Sequence, residues 1–405
     1  MTGYRDRFHI PRKADGSECV YLCGHSLGLQ PKSLRGYVER ELKEWELLGV
    51  EGHFHARHPW VRYQDLLREQ TARLVGAHPA EVVSMNSLTV NLHLMMVSFY
   101  RPSPRRYRII IEEHAFPSDQ YAVRSQIRFH GFDPADALVT VADEDQLQEL
   151  LDREGESVAL ILLAGVNYSN GRAFDMARVT QAGHARGCIV GLDLAHAAGN
   201  LILNLHDWDA DFSVWCTYKY LNAGPGSIAG CFVHQRYAND ESLPRFTGWW
   251  GNRLETRFRM GPDFDASPGA EGWQVSNPPV IALAALRASM DLFDEAGMPQ
   301  LRARSVALTG YLESLLDSHA GGWYSIITPR DPQRRGAQLS IRVKGSVRTL
   351  WEGLKAAGIL CDWREPDILR VAPMPLYNTE DDIQRFVVAF LNSCPPGNSA
   401  RTRSR

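Results

Sequence analysis

The chain has 405 residues, 44% hydrophobic and 22% charged, with 44 basic residues against 47 acidic ones and a net charge of −3. That length can bury one large or two ordinary cores. The near balance of charge excludes the basic footprint of a nucleic-acid binder, and no apolar run approaches the roughly 18 residues of a membrane span. The N-terminus, Met1-Thr-Gly-Tyr-Arg-Asp-Arg7, has no apolar signal-peptide region. Seven cysteines form an odd, scattered set. Cys188, Cys216 and Cys231 lie in apolar stretches and read as small core residues. Cys19 and Cys23 have no second matching pair, so no zinc is expected. These features describe a reduced, cytoplasmic enzyme that uses no metal.

In chain order, Val20–Cys23 is extended, and Pro31 to Leu48 reads as a helix from apolar residues at three- and four-residue steps. Residues 51–60 read as a His-rich loop, and Tyr63 to Val75 as a second helix. From residue 80 strands and helices alternate. The strands are 81–85, 107–111, 138–141, 158–163, 188–192, 212–216 and 228–233. The helices are 88–100, 118–129, 145–154 and 175–187. Near-continuous apolar strands separated by helices predict a mostly parallel sheet covered on both faces. Residues 278–315 read as one or two long helices. Strands at 338–343 and 368–371 and helices at 346–357 and 379–392 follow, an α+β segment. The tail 394–405 is polar and basic and is expected to be disordered.

Lys219 and Asp193 carry the strongest chemical signal. Apolar strand-like segments deliver both, 188–192 ending at Asp193 and 212–216 running up to Lys219. An amine for an aldehyde and an acid for a pyridine nitrogen suit pyridoxal phosphate (PLP). An aspartate at a strand's C-terminal end also lies where open parallel sheets bind ligands. His196, three residues on, can pack on or bond near such a ring. Asn86-Ser-Leu-Thr89 opens a helix after a strand, which is either an ordinary N-cap or an anion site, with Thr89 adding a hydroxyl. Phe116-Pro-Ser-Asp119 offers a ring to stack and a carboxylate to bond, or else a helix cap. Trp249 has an indole N–H for a phosphate oxygen or an interface to fill. Asn277 is either a turn former or a ligand contact. His55 and His58 read as solvent-exposed loop residues. Arg370 ends a strand-like run and suits an α-carboxylate.

Together these segments resemble kynureninase, a PLP fold-type-I hydrolase of the aminotransferase class V group. The matching stretches are 24–32, 86–93, 116–119, 193–197, 218–224, 248–251, 276–279, 308–312 and 370–378. They stand in the family's order and span nearly all of residues 20–392. The resemblance implies an α/β fold: a large domain with a mostly parallel sheet covered by helices, plus a smaller α+β domain. Its divisions would be 1–50, an N-terminal segment packing with the small domain; 51–284, the large PLP-binding domain; and 285–393, the small domain. Lys219 would hold the cofactor as a Schiff base, with Asp193 on the ring nitrogen, Phe116 stacked on the ring, and Asp119 and His196 in contact. Leu88, Thr89, Tyr218 and Trp249 would take the phosphate side. Asn277 would complete the pocket, with Ser26, His53, Asn277 and Arg370 on the substrate. The site would lie at a homodimer interface, with Trp249 and Asn277 contributed by the second subunit. Two positions depart from the pattern. His25 stands where many members have Asn, and Ala164 where the family has Ser or Thr near the cofactor.

The implied reaction is hydrolysis of the Cβ–Cγ bond of L-kynurenine or 3-hydroxy-L-kynurenine to anthranilate or 3-hydroxyanthranilate plus L-alanine. Such products feed tryptophan breakdown, nicotinamide-cofactor synthesis or a secondary metabolite. Lys219 and Tyr218 are the proton-transfer candidates, and Tyr218 can instead bond phosphate. His53 and Asn277 match positions that approach the substrate's aromatic ring. Both are polar, so 3-hydroxykynurenine is expected to be preferred. A cysteine desulfurase would need Cys361 in a mobile loop, and a PLP-binding regulator would not need Lys219, Asp193 and Arg370 together.

Overall fold

The computed structural model describes residues 3–319 and 322–393; the 394–405 tail expectation lies outside them. Among the described residues thirteen strands follow one another: β1 Val20–Tyr21, β2 Val82–Ser84, β3 Arg108–Glu112, β4 Leu138–Val141, β5 Val158–Ala164, β6 Ile189–Asp193, β7 Phe212–Trp215, β8 Gly230–Val233, β9 Tyr324–Ile326, β10 Leu339–Val343, β11 Ile359–Leu360, β12 Asp362–Arg364 and β13 Ile368–Val371. Seven of them form one sheet in the order β2-β8-β7-β6-β5-β3-β4. Its core pairs, β4-β3-β5-β6-β7, are parallel, and β8 alone turns antiparallel to both neighbours. The strands are apolar on both faces because two cores sandwich the sheet. Leu192, Trp215 and Phe232 belong to one; Ile109, Leu160, Phe212 and Val214 belong to the other. Close packing explains Gly191, where a Cβ would run into the Phe212 ring.

A second, four-stranded antiparallel sheet, β12-β13-β10-β9, packs under the helices Met298–Ser318, Val347–Ala356 and Glu380–Asn392. The chain's early residues reach it: β1 pairs in parallel with β11. Among the described residues no helix is long and apolar enough to cross a membrane, and six cysteines are free.

Element boundaries expected from sequence lie within a few residues of those observed, with informative exceptions. The 51–60 stretch is not a plain loop. It holds a helical turn, Gly52–His55, and a 3-10 turn, Trp60–Arg62. Buried Glu41 anchors it by accepting from Trp60 Nε1 at 3.2 Å and Tyr63 Oη at 3.0 Å. The 278–315 stretch divides into Val280–Ala296 and Met298–Ser318 at Gly297, whose φ of 73° ends the first helix. Strands β9, β11 and β12, two or three residues each, carry no periodicity to read.

Candidate active site

The carboxyl ends of β3, β5 and β6 meet the loop after β7 around a cavity of about 170 Å³. This is the edge at which open parallel sheets bind ligands. Asp193, the last residue of β6, and Glu112, the last of β3, enter from the floor. Lys219 enters from the post-β7 loop, its Nζ 5.8 Å from the centre of the Phe116 ring and 5.9 Å from that of Tyr218. The N-terminal segment braces this loop. Gly28 N–H donates to Tyr218 O at 2.8 Å, and a Cβ at Gly28 would collide with Lys219 O and the Asn222 side chain. Glycine is therefore required for that approach.

Three carboxyls crowd the floor. Burial pushes Asp193 up, against Ala195 N–H, which donates to its Oδ1 at 2.7 Å, and Lys219. Burial and then Asp193 push Asp119 up. Burial likewise raises Glu112, to about 7, although Ala164 N–H donates to its Oε2 at 3.0 Å. Buried His196 is driven well below its ordinary value by burial and then by Lys219, so it stays neutral. Tyr218 is raised by burial and by Cys216, so its hydroxyl keeps its proton.

At the other end of the cavity two helices begin, Leu88–Phe99 and Pro117–Phe129. Neither start carries a side-chain cap, and Thr89 Oγ1 lies 2.8 Å from Ser118 Oγ between them. Asn86 and Ser87 are thus not serving as an ordinary cap, and the N–H groups of Leu88, Thr89 and Ser118 stay available to an anion, whereas those of Asp119 and Gln120 already donate to Phe116 O.

Leu88, Thr89, Phe116, Asp119, Ala164, Asp193, His196, Tyr218 and Lys219, all expected from sequence, line this one cavity. Arg370 lies fully buried just behind it. Its Nη1 donates to the carbonyl of cavity residue Tyr168 at 2.8 Å, its Nη2 is paired with Asp362, and its Nε–H has no partner. Within one chain four expected residues stand apart. Trp249 is about half exposed, and its Nε1 donates to Arg257 O at 2.9 Å. Asn277 and Ser26 are exposed. His53 packs edge-on to Trp60, ring centres 5.4 Å apart. Sequence reasoning missed Glu112 and Tyr168. Glu112 ends a strand just as Asp193 does, which was the available signal.

His25, the departure from the family pattern, is fully buried beside this region. Its Nε2 is 3.6 Å from Asp362 Oδ2, and burial and Arg370 hold it neutral, with a pKa of about 4. Cys361 is buried, and burial pushes its thiol well up, the reverse of an activated thiolate. Among the described residues, Glu81, His206 and His234 bring three potential metal-ligand atoms within 4.8 Å of one another. These atoms already bond within the protein: Arg236 N–H donates to His234 Nδ1 at 3.1 Å, Gln235 N–H to Glu81 Oε1 at 2.8 Å, and His206 Nδ1 lies 2.9 Å from Glu81 Oε1.

The architecture is that of the fold-type-I PLP enzymes. A C-DES mutant with glycine covalently linked to its PLP cofactor superposes with a TM-score of 0.82 at 16% identity, over 96% of this chain and 99% of that one. The cysteine desulfurase CsdA from Escherichia coli gives 0.77 at 18% identity, over 96% and 97%. These likenesses establish the fold. Sequence relatives are more specific. The kynureninase of Koribacter versatilis is 64% identical over 96% of this chain and 94% of its own length, and that of Myxococcus xanthus is 58% identical over 96% and 93%. A profile of the kynureninase C-terminal domain matches residues 301–390. The chain belongs to the kynureninase family, PLP-dependent hydrolases that cleave a C–C bond in a ketonic substrate.

The cavity fits that cofactor on three observations. An amine faces a buried carboxylate. Two uncapped helix starts meet at one end. Asp119 Oδ1 and His196 Nδ1 are buried without partners, which leaves polar demand for a ligand to satisfy.

Proposed function

We propose that the chain hydrolyses the Cβ–Cγ bond of 3-hydroxy-L-kynurenine in preference to L-kynurenine, giving 3-hydroxyanthranilate or anthranilate and L-alanine. The observation that carries the reading is Lys219 Nζ set between the Phe116 and Tyr218 rings in the cavity floored by Asp193. When bound, PLP supplies an electron sink for charge developing at the substrate's Cα. Lys219 would hold it covalently, and its freed amine would be the group to move the Cα proton through Nζ. Asp193 would keep a proton on the ring nitrogen, Asp119 and His196 would bond the ring's edge, and Phe116 would cover one face. Leu88 N–H and Thr89 would take the phosphate with Tyr218, whose protonated hydroxyl could also donate in the cleavage steps. Ala164 offers no side-chain hydroxyl; its backbone N–H holds Glu112. Arg370 would take the α-carboxylate on its unpaired Nε–H, and Ser26, exposed in the single chain, would reach the substrate only in the assembled site.

The active unit in this reading is a homodimer, with Trp249 and Asn277 reaching the partner's cavity. An apolar hollow of about 930 Å³ supports it, formed by the N-terminal segment, the Gly224–Ser227 loop and the Val280–Ala296 helix. The divisions at 51 and 285 belong to the same reading. So does a cytoplasmic location, which the free cysteines favour.

The ring preference rests on polar His53 and Asn277. Comparison of kcat/KM for the two substrates tests it. A higher value for 3-hydroxykynurenine is expected, and an equal or higher value for kynurenine would end it. Replacing His53 or Asn277 should erode the preference more than the turnover.

A further inference from the structure

Arg370 does not sit free to receive a ligand. The β12–β13 ladder places Asp362 directly opposite it, and Asp362 Oδ2 pairs with Arg370 Nη2. Asp362 is itself held from its other oxygen, which accepts from Arg364 Nη1 at 2.6 Å. Arg370 Nη1 is fixed by the Tyr168 carbonyl at 2.8 Å, and that carbonyl also accepts from Gln338 Nε2 at 2.9 Å. Two of the three guanidinium nitrogens are therefore bonded within the protein. The third, Nε, is buried with no acceptor. A buried donor in that state calls for a partner, and a planar fork pinned at two corners can offer its third in one direction only.

We infer that Asp362 is a positioning residue for the substrate: with the Tyr168 carbonyl, it sets the Arg370 fork so that the Nε–H edge meets the α-carboxylate. The inference rests on Arg370 as the carboxylate ligand. Asp362 also neutralises one of the two arginines around it, which leaves one net positive charge for one carboxylate. Neutral His25 adds none.

The test uses the holoenzyme and two ligands, kynurenine and the amine that results from removing its α-carboxylate. Binding is read from the visible absorbance of the cofactor, and turnover from product fluorescence. In Asp362→Asn, KM for kynurenine is expected to rise about tenfold or more, as for loss of a charged hydrogen bond. kcat should stay within about threefold, and affinity for the decarboxylated amine should be unchanged. A merely structural role would weaken both ligands alike, and that result overturns the inference. So does an unchanged or lowered KM. Should Asp362→Asn fail to fold, Asp362→Glu keeps the charge but shifts it by one methylene, and the same ratio between ligands is read. Arg370→Gln separates the two levels. If it abolishes discrimination between the ligands while the Asp362 variants retain it, the positioning role falls and the carboxylate assignment stands. If it too leaves discrimination intact, both fall.

Discussion

Two buried aspartates at opposite ends of adjacent strands in the large sheet show what distinguishes a site from a brace. Asp211 stands just before β7, and Asp193 ends the adjacent parallel strand β6. Asp211 accepts from Val190 N at 2.6 Å, His184 Nε2 at 2.9 Å, Arg236 Nη2 at 2.8 Å and Tyr237 Oη at 2.6 Å. Burial pushes its carboxyl up, but His184, Tyr237 and Val190 outweigh this and the net shift is downward. Asp193 has one backbone donor, Ala195, and a second acid, Asp119, for a neighbour, and its net shift is upward. The same side chain at similar depth is finished by the protein at one end and left unfinished at the other. Burial alone does not mark function; unmet demand does.

The contrast can be broken or sharpened by experiment. The largest effect is expected for Lys219→Ala: loss of turnover by about a thousandfold or more, with the thermal midpoint of the cofactor-free protein within about 2 °C of wild type. Product fluorescence and a melting curve check the two halves. Asp211→Ala should do the opposite. Removing it leaves the Val190 N–H and Tyr237 Oη without their acceptor and Arg236 with Asp209 as its remaining partner, at a cost of about 3–5 kcal/mol in urea unfolding, while turnover per folded molecule holds.

Asp193→Asn should lower kcat/KM about a hundredfold and leave stability unchanged or slightly raised, since it removes a carboxyl that burial disfavours. A drop in stability rivalling that of Asp211→Ala would erase the distinction. The smallest effect is in pH dependence. Glu112 is raised from an ordinary 4.5 to about 7, so between those values the folded chain holds a proton that the unfolded chain has lost. Its contribution is present below pH 4.5 and fades as pH rises to about 7. Asp211, shifted down, contributes above its ordinary range and loses that contribution as pH falls. Urea midpoints of the cofactor-free protein against pH should lose the first slope in Glu112→Gln and the second in Asp211→Ala.

The large sheet was legible because its strands are continuous apolar runs, and such runs are what a sheet buried on both faces requires. The cavity was legible for a related reason. Asp193 and Lys219 flank those runs, so locating the strands located the chemistry. Two things were hidden. Asp362 meets Arg370 only through the register of two short strands, and a three-residue strand has no period to read. Trp249, Asn277, His53 and Ser26 stand outside the cavity of the single chain, because composition and spacing name residue types without placing the loops and turns that carry them.

The pairing of β1 with β11 reaches into how the molecule is made. Val20 bonds beside Ile359, so an early part of the chain must wait for a late part before it has a partner. At about 5–20 residues per second the ribosome needs roughly half a minute to cover that interval. Throughout it, the segment carrying Gly28, the brace of the lysine loop, is a nascent strand with an open edge. Chain order thus sets a schedule: the sheet that carries Lys219 can assemble during synthesis, and the N-terminal seam closes last.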